Sequence, residues 1–175
     1  MTIHVRLTDI EVVMGTDVGE ARNRFSAHRP HKANFKGDGA KIHVLGALGE
    51  MAVAKASSLY WSPKAVPGGL DSEEGDFYGI EVRTTEYGTG RLIVKRNDPE
   101  NRVYLLVTGK APNFTVVGYC SGDEAKNDQF WDSGQRSPAF FVPQSSLRPI
   151  NTALDIRDAI RLSNSVRGRT TVGIS

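Results

Sequence analysis

The sequence predicts an α+β domain with a mixed or antiparallel sheet. Residues 40–58 are alanine-rich, free of proline and apolar on one side, which is typical of a helix. Runs rich in β-branched and aromatic residues, separated by turn-forming residues, predict strands at 77–86, 91–96, 102–108 and 114–120. Residues 103–107 are apolar on both faces, which predicts a central strand covered on both sides by helices. A short helix at 122–131 and a strand at 139–142 complete an order in which helices and strands do not alternate regularly.

The two ends of the chain are predicted to add one strand and two helices. Residues 3–14 alternate apolar and polar side chains, which favours a strand, and residues 17–27 fit a short helix weakly. A last helix fits residues 153–163, where Thr152 and Asp155 have the spacing of an N-cap residue and its capping-box partner.

The length of 175 residues suggests a single domain over residues 1–175. Within it we expect a core over residues 40–150. Residues 1–39 would form an N-terminal extension with a strand, a helix and a basic loop. Residues 151–175 would form a C-terminal helix followed by a loose tail.

The composition is that of a soluble protein, because 39% of the residues are hydrophobic and 24% are charged. No apolar run is long enough to cross a bilayer, and the N-terminus lacks the apolar segment of a secretory signal. The single cysteine, Cys120, excludes an internal disulfide, and no zinc-binding Cys/His spacing occurs. We therefore expect a cytoplasmic protein with no membrane partner.

Glu50 is the first candidate for a chemical role. On a helix its neighbours three and four positions away are Gly46, Ala47, Val53 and Ala54, so its carboxylate lies on the face that packs against the sheet. A buried carboxylate requires a partner. That partner is either a metal ion shared with other carboxylates or a buried arginine, and the helix alone favours neither.

The segment from Gly75 to Arg83 holds further candidates. Glu81 and Arg83 share one face of a strand, since alternate side chains point the same way. Asp76 is an odd number of residues from Glu81, so the two carboxylates meet only if the chain bends at Gly79. Two such carboxylates with one from a helix would make the oxygen-rich site that Mg²⁺ or Mn²⁺ favours.

The order Glu50, Asp76, Glu81, Arg83 resembles the PD-(D/E)XK nuclease superfamily. The segments GALGEMAVAKA and GDFYGIEVRTT resemble small phage-type members, and the similarity runs from about Gly46 to Pro149. The resemblance implies a restriction-endonuclease-like core with a mixed central sheet flanked by helices. It also implies that Asp76 and Glu81 bind the metal ion and that Glu50 joins them directly or through water. A phage-encoded protein would act in the host cytoplasm.

Two departures from the superfamily pattern concern the catalytic residues. Arg83 occupies the position of the usual lysine, and an arginine stabilises charge but cannot act as a base. Lys95 on the next strand is an alternative source of an ammonium group, although a solvated edge lysine explains it better. The interval from Asp76 to Glu81 is short, so Asp71 is a second candidate for the first ligand.

Several residues are candidates for contacts to DNA. The net charge of +2 permits nucleic-acid binding without arguing for it. Basic residues that cluster between positions 22 and 36 would track a phosphate backbone, or form an ordinary solvated surface: Arg22, Arg24, Arg29, Lys32 and Lys36. Lys95 and Gln144 are further candidates. Tyr78, Tyr87, Trp61 and Trp131 carry rings that stack on bases when they are not used in packing.

These residues lead to one functional hypothesis and two alternatives. The hypothesis is a Mg²⁺- or Mn²⁺-dependent nuclease that hydrolyses phosphodiester bonds in DNA, either alone or as a homodimer. The first alternative is a catalytically inactive nuclease-fold protein that binds DNA or acts in assembly. The second is a glycoside hydrolase with paired carboxylates, which Arg83 and the basic segment disfavour.

Overall fold

The computed structural model describes residues 2–27, 39–63 and 75–168. In these ranges the helices are α1 (Asp9–Ala27), α2 (Gly39–Ser57), α3 (Gly122–Ala125) and α4 (Ala153–Gly168). The strands are β1 (Ile3–Arg6), β2 (Ile80–Thr85), β3 (Leu92–Val94), β4 (Val103–Lys110), β5 (Asn113–Ser121), β6 (Trp131–Asp132), β7 (Ala139–Val142) and β8 (Arg148–Pro149). Short 3-10 turns lie at Asp128–Phe130 and Gln144–Ser146.

The central sheet is mixed. Its strand order is β1-β5-β4-β2, and β8 also pairs with β5. The β2 and β4 strands are parallel, with Glu81 opposite Tyr104, whereas β4 and β1 are both antiparallel to β5. The β2 strand lies beside β4 because β3 leaves this sheet and joins a second, three-stranded sheet of order β3-β7-β6. The predicted α+β class with a mixed sheet flanked by helices is thus confirmed.

The β4 strand is buried on both faces, as predicted, but the long helices α2 and α4 cover only one of them. Val103, Leu105 and Val107 belong to the core that α2 and α4 cover. Tyr104 and Leu106 belong to a second core, which includes buried side chains of β3 and β7 and Ala125 of the short helix α3. The prediction of helices is therefore confirmed for the first face and wrong for most of the second, which a sheet covers together with α3. An apolar strand face indicates that it is covered, but it does not indicate whether a helix or another sheet covers it.

The strand predicted over residues 3–14 is also wrong beyond Arg6, because α1 begins at Asp9. A reciprocal capping box starts this helix. The Thr8 N–H donates to Glu11 Oε2 at 2.6 Å, and the Glu11 N–H donates to Thr8 Oγ1 at 3.3 Å. The weak helix predicted from residue 17 is the second half of this longer helix. It packs closely on α2, since a Cβ atom at Gly19 would overlap the backbone of Val44.

The other predicted elements agree more closely with the structure. The α2 helix and the β7 strand lie where they were predicted. The Asp155 carboxylate accepts the Thr152 N–H at 2.8 Å at the start of α4, as the capping spacing predicted. This helix continues to Gly168, past the predicted end, and it packs on α2 and on the central sheet. The β1 strand pairs with β5, so it belongs to the same sheet as the other core strands.

Candidate functional site

A tight turn before β2 places Asp76 beside that strand. Tyr78 and Gly79 have positive φ angles of 47° and 87°, as the two central residues of a type I′ turn require. The turn lets the Val82 N–H donate a hydrogen bond to Asp76 Oδ2 at 3.0 Å. The bend at Gly79, which the sequence required if Asp76 was to approach Glu81, is therefore present.

Glu81 and Arg83 lie on the same face of β2, and that face points away from α2. Two guanidinium groups flank the Glu81 carboxylate, with Arg83 Nη1 at 3.8 Å and Arg102 Nη1 at 3.7 Å. The Arg83 guanidinium also donates to Asp98 Oδ2 at 3.2 Å and lies 5.4 Å from the centroid of the Tyr104 ring. Arg83 is thus held in place by contacts with an acid and an aromatic ring.

Burial and a second carboxylate give Glu81 an unusual protonation equilibrium. Burial raises the pKa of Glu81, and the charge of Asp76 raises it further, while Arg83 and Arg102 lower it. The pKa that results is about 7. The Glu81 carboxyl group therefore binds a proton more tightly than an ordinary glutamate does.

Glu50 is buried and bound to Arg22. The Arg22 guanidinium donates to both carboxylate oxygens, at 2.5 and 2.8 Å, and the indole of Trp61 donates to one of them at 3.3 Å. Burial raises the pKa of Glu50, and the two hydrogen bonds from Arg22 oppose that rise. The buried arginine that the sequence left open as a partner of Glu50 is therefore present. Arg22 was a candidate for DNA contacts, but its guanidinium is bound to Glu50 in the interior of the protein.

The three predicted metal ligands do not lie on one side of the sheet. Glu50 projects from α2, which packs on the face of β2 formed by Ile80 and Val82. Glu81 points from the opposite face, and Asp76, at the end of the strand, influences the pKa values of both glutamates. In the part of the chain that the structure describes, no group of three Asp, Glu, His or Cys side chains is placed to hold a metal ion.

The remaining candidates have different positions. Lys95 is exposed, and its N–H donates to Asp98 Oδ2 at 2.9 Å. The Gln144 side chain donates to the carbonyl oxygens of Gly88 and Gly90, both at 2.9 Å, and so holds the turn that follows β2. Arg24 is exposed on α1. Four residues named above lie outside the described residues: Arg29, Lys32, Lys36 and Asp71.

Two residues of the site were missed in the sequence. Asp98 and Arg102 come from the loop that leads into β4, and they contact Arg83 and Glu81 respectively. The signal was a short charged run, DPENR, directly before the most apolar strand of the chain. Charged residues that directly precede a buried strand lie near the end of that strand, where they can contact charged residues of the neighbouring parallel strand.

No family model matches this chain, and neither the curated proteins nor the solved structures contain a significant match to it. None of the described helices has the length and apolar character needed to span a membrane.

Proposed function

We propose that this protein is a nuclease that depends on Mg²⁺ or Mn²⁺ and hydrolyses phosphodiester bonds in DNA, with Asp76 and Glu81 as the metal-binding carboxylates. The observation that carries the proposal is the placement of Asp76 next to the strand of a half-buried glutamate, Glu81, which is flanked by two guanidinium groups. A cation would relieve the repulsion between the carboxylates, and the guanidinium groups suit a phosphate.

The donor set fits a magnesium ion better than a zinc or calcium ion. Magnesium is often held by one or two carboxylates, while waters and substrate phosphates supply the remaining ligands. Asp76 and Glu81 provide these two carboxylates. Glu50 is not a metal ligand in this proposal, because its two oxygens already accept hydrogen bonds from Arg22. Its role is to hold the Arg22 guanidinium in place.

Each side chain then has a definite task. Asp76 and Glu81 would hold the metal ion, which would supply polarisation of the phosphate and a lower pKa for the attacking water. Arg83 contacts a nonbridging oxygen and offsets the negative charge of the transition state, since a guanidinium cannot remove a proton. Asp98 and Tyr104 hold Arg83 in the orientation that this contact needs. Arg102 balances the charge of Glu81 when no ion is present.

The direct test is cleavage of supercoiled and linear DNA with Mg²⁺ or Mn²⁺. Asp76→Asn and Glu81→Gln should abolish cleavage, and Arg83→Ala should slow it by about a hundredfold or more. Glu86→Gln is the matched control, because Glu86 directly follows β2 and is exposed. If the folded wild-type protein cuts neither substrate with either ion, the proposal is wrong.

One observation favours a catalytically inactive DNA-binding protein instead. Arg22 and Arg83 both bind carboxylates of the protein, which is the arrangement expected if the charges of the site only balance one another. Thermal unfolding with increasing Mn²⁺ separates the two functions, since a ligand that binds only the folded state raises Tm. A rise in Tm that Glu81→Gln eliminates supports the metal site. An unchanged Tm, with DNA binding intact, supports the inactive protein.

A further inference from the structure

A cavity of about 430 Å³ lies between the Asp76 turn and the end of α4. This volume is within the range of sites that hold small ligands, roughly 300–1,000 Å³. Its lining includes an acidic residue, Asp76, and a basic residue, Arg167, together with the aromatic Tyr78 and the polar Ser62 and Asn164. The cavity therefore combines an aromatic ring, neutral polar groups and one charge of each sign next to a proposed metal ligand.

Tyr78 forms the aromatic side of the cavity, in the turn that precedes β2. Tyr78 is 49% exposed, and its ring meets the buried ring of Phe77 edge-on, with centroids 4.9 Å apart and planes at 75°. Its backbone is in the left-handed region, which few side chains of this size adopt. Because the ring is half-exposed, it has surface available for stacking on a flat ligand.

The opposite side of the cavity is the last part of α4. Ser163 Oγ donates to the Gly79 carbonyl at 2.6 Å, which fixes this helix against the turn. The Arg167 guanidinium lies against the same turn, since a Cβ atom at Gly79 would be 2.7 Å from Nη1. Asn164 lines the cavity between them. An arginine and an asparagine on a fixed helix provide the donors that phosphates and base edges accept.

We infer that this cavity is a nucleotide subsite for the strand being cut, with a base stacked on Tyr78 and a flanking phosphate bound by Arg167. The inference rests on the proposed nuclease function and adds to it the position of the neighbouring nucleotide. Because Asp76 lines the cavity and belongs to the proposed metal pair, a nucleotide bound here would contact the end of the metal site that Asp76 forms. A single strand fits this arrangement better than a closed duplex, because stacking on Tyr78 requires an unstacked base.

The test is equilibrium binding of a fluorescein-labelled single-stranded DNA oligonucleotide, measured by anisotropy over a range of salt concentrations. Tyr78→Asn keeps a residue that tolerates the left-handed backbone, and it should weaken binding by roughly tenfold. Arg167→Gln should also weaken binding, and it should reduce the slope of log K against log salt by about 0.7. The controls are Tyr60→Asn, an exposed tyrosine that does not line the cavity, and Arg157→Gln, an exposed arginine on the same helix.

The outcomes separate the subsite from the proposed function. Loss of binding in both cavity variants, with both controls at the wild-type level, supports the subsite. Wild-type affinity in the cavity variants, or equal losses in the controls, overturns it. Cleavage by the wild-type protein is measured in a separate assay. If the cavity variants lose DNA binding but the wild-type protein cleaves no DNA, the nuclease function is rejected and the nucleotide site is retained. Unchanged circular dichroism shows that each variant is folded.

Discussion

Arg22 and Glu50 form a bidentate ion pair between α1 and α2. The glutamate side chain is 4% exposed and the arginine side chain is 13% exposed. Taking two charges out of water is costly, so such a pair is not a large net source of stability. It does fix which faces of the two helices meet. It also places a guanidinium near Asp76, whose charge raises the pKa of Arg22.

Removing one member of this pair should therefore cost more than removing both. Arg22→Met leaves the Glu50 carboxylate buried without its main partner, and we expect a loss of about 3 to 5 kcal/mol in unfolding free energy. The double variant Arg22→Met/Glu50→Leu should recover most of that loss. Urea denaturation of the single and double variants measures the coupling. A loss in the double variant equal to the sum of the losses in Arg22→Met and Glu50→Leu would show that the two charges are not coupled.

Glu81 should make the protein less stable as the pH rises from acid to neutral. Its ordinary pKa of 4.5 is raised to about 7 in the folded state, so between these values the folded chain binds more protons than the unfolded chain. The contribution of Glu81 to stability is then complete below pH 4.5 and is lost as the pH approaches 7. Relative to wild type, Glu81→Gln should gain about 2 to 3 kcal/mol of stability between pH 4 and pH 8.

Urea denaturation at a series of pH values checks this expectation. Glu86→Gln serves as the control, since Glu86 is exposed at the end of the same strand. A constant stability difference between Glu81→Gln and wild type across this range would show that Glu81 titrates as an ordinary glutamate.

Two glycines in α2 should respond in opposite ways to the same substitution. A Cβ atom at Gly49 would overlap Thr84 Oγ1, whereas a Cβ atom at Gly46 would meet nothing within 4 Å. Gly49→Ala should therefore lower the unfolding free energy by about 1 to 3 kcal/mol, because helix and sheet must separate. Gly46→Ala should raise it by about 0.5 to 1 kcal/mol through helix propensity. Thermal and urea unfolding measure both, and similar effects of the two changes would contradict the close helix–sheet contact.

Ser163 should influence the proposed metal site from a distance. Ser163→Ala removes the hydrogen bond to the Gly79 carbonyl and leaves that carbonyl buried, at a cost of about 1 to 3 kcal/mol. Because Gly79 belongs to the turn that carries Asp76, Mn²⁺ affinity should fall as well. Ser165→Ala, an exposed change on the same helix, is the control. A stability loss with unchanged Mn²⁺ binding would restrict Ser163 to a role in packing.

The sequence predicted the local features of single helices and strands better than it predicted which elements pack against one another. The composition of α2 and the spacing of Thr152 and Asp155 are short-range signals, and the structure agrees with both. The start of α1 had an equally local signal, Thr8 three residues before Glu11, but the alternation of residues 3–14 dominated the interpretation. The covering of one face of β4 by a second sheet depends on residues far along the chain, so no local pattern revealed it.

The candidate site was predictable to a similar degree. The bend at Gly79 followed from the parity of Asp76 and Glu81 along a strand, which is a geometric constraint that one sequence contains. The pairing of Glu50 with Arg22 joins residues 28 positions apart on two helices, and the sequence offered it only as one of two open possibilities. Contacts of this kind depend on how helices pack, and packing is a property of the whole chain.

The hydrogen bond from Ser163 to Gly79 joins residues that are 84 positions apart. The turn that carries Asp76 is thus completed by a helix that the ribosome makes long after the turn itself. A nascent chain that stops before Ser163 has the residues proposed to bind the metal ion and lacks the support that holds them in place. Truncated products of this protein would therefore be incomplete at the site, even though they contain every acidic residue in it.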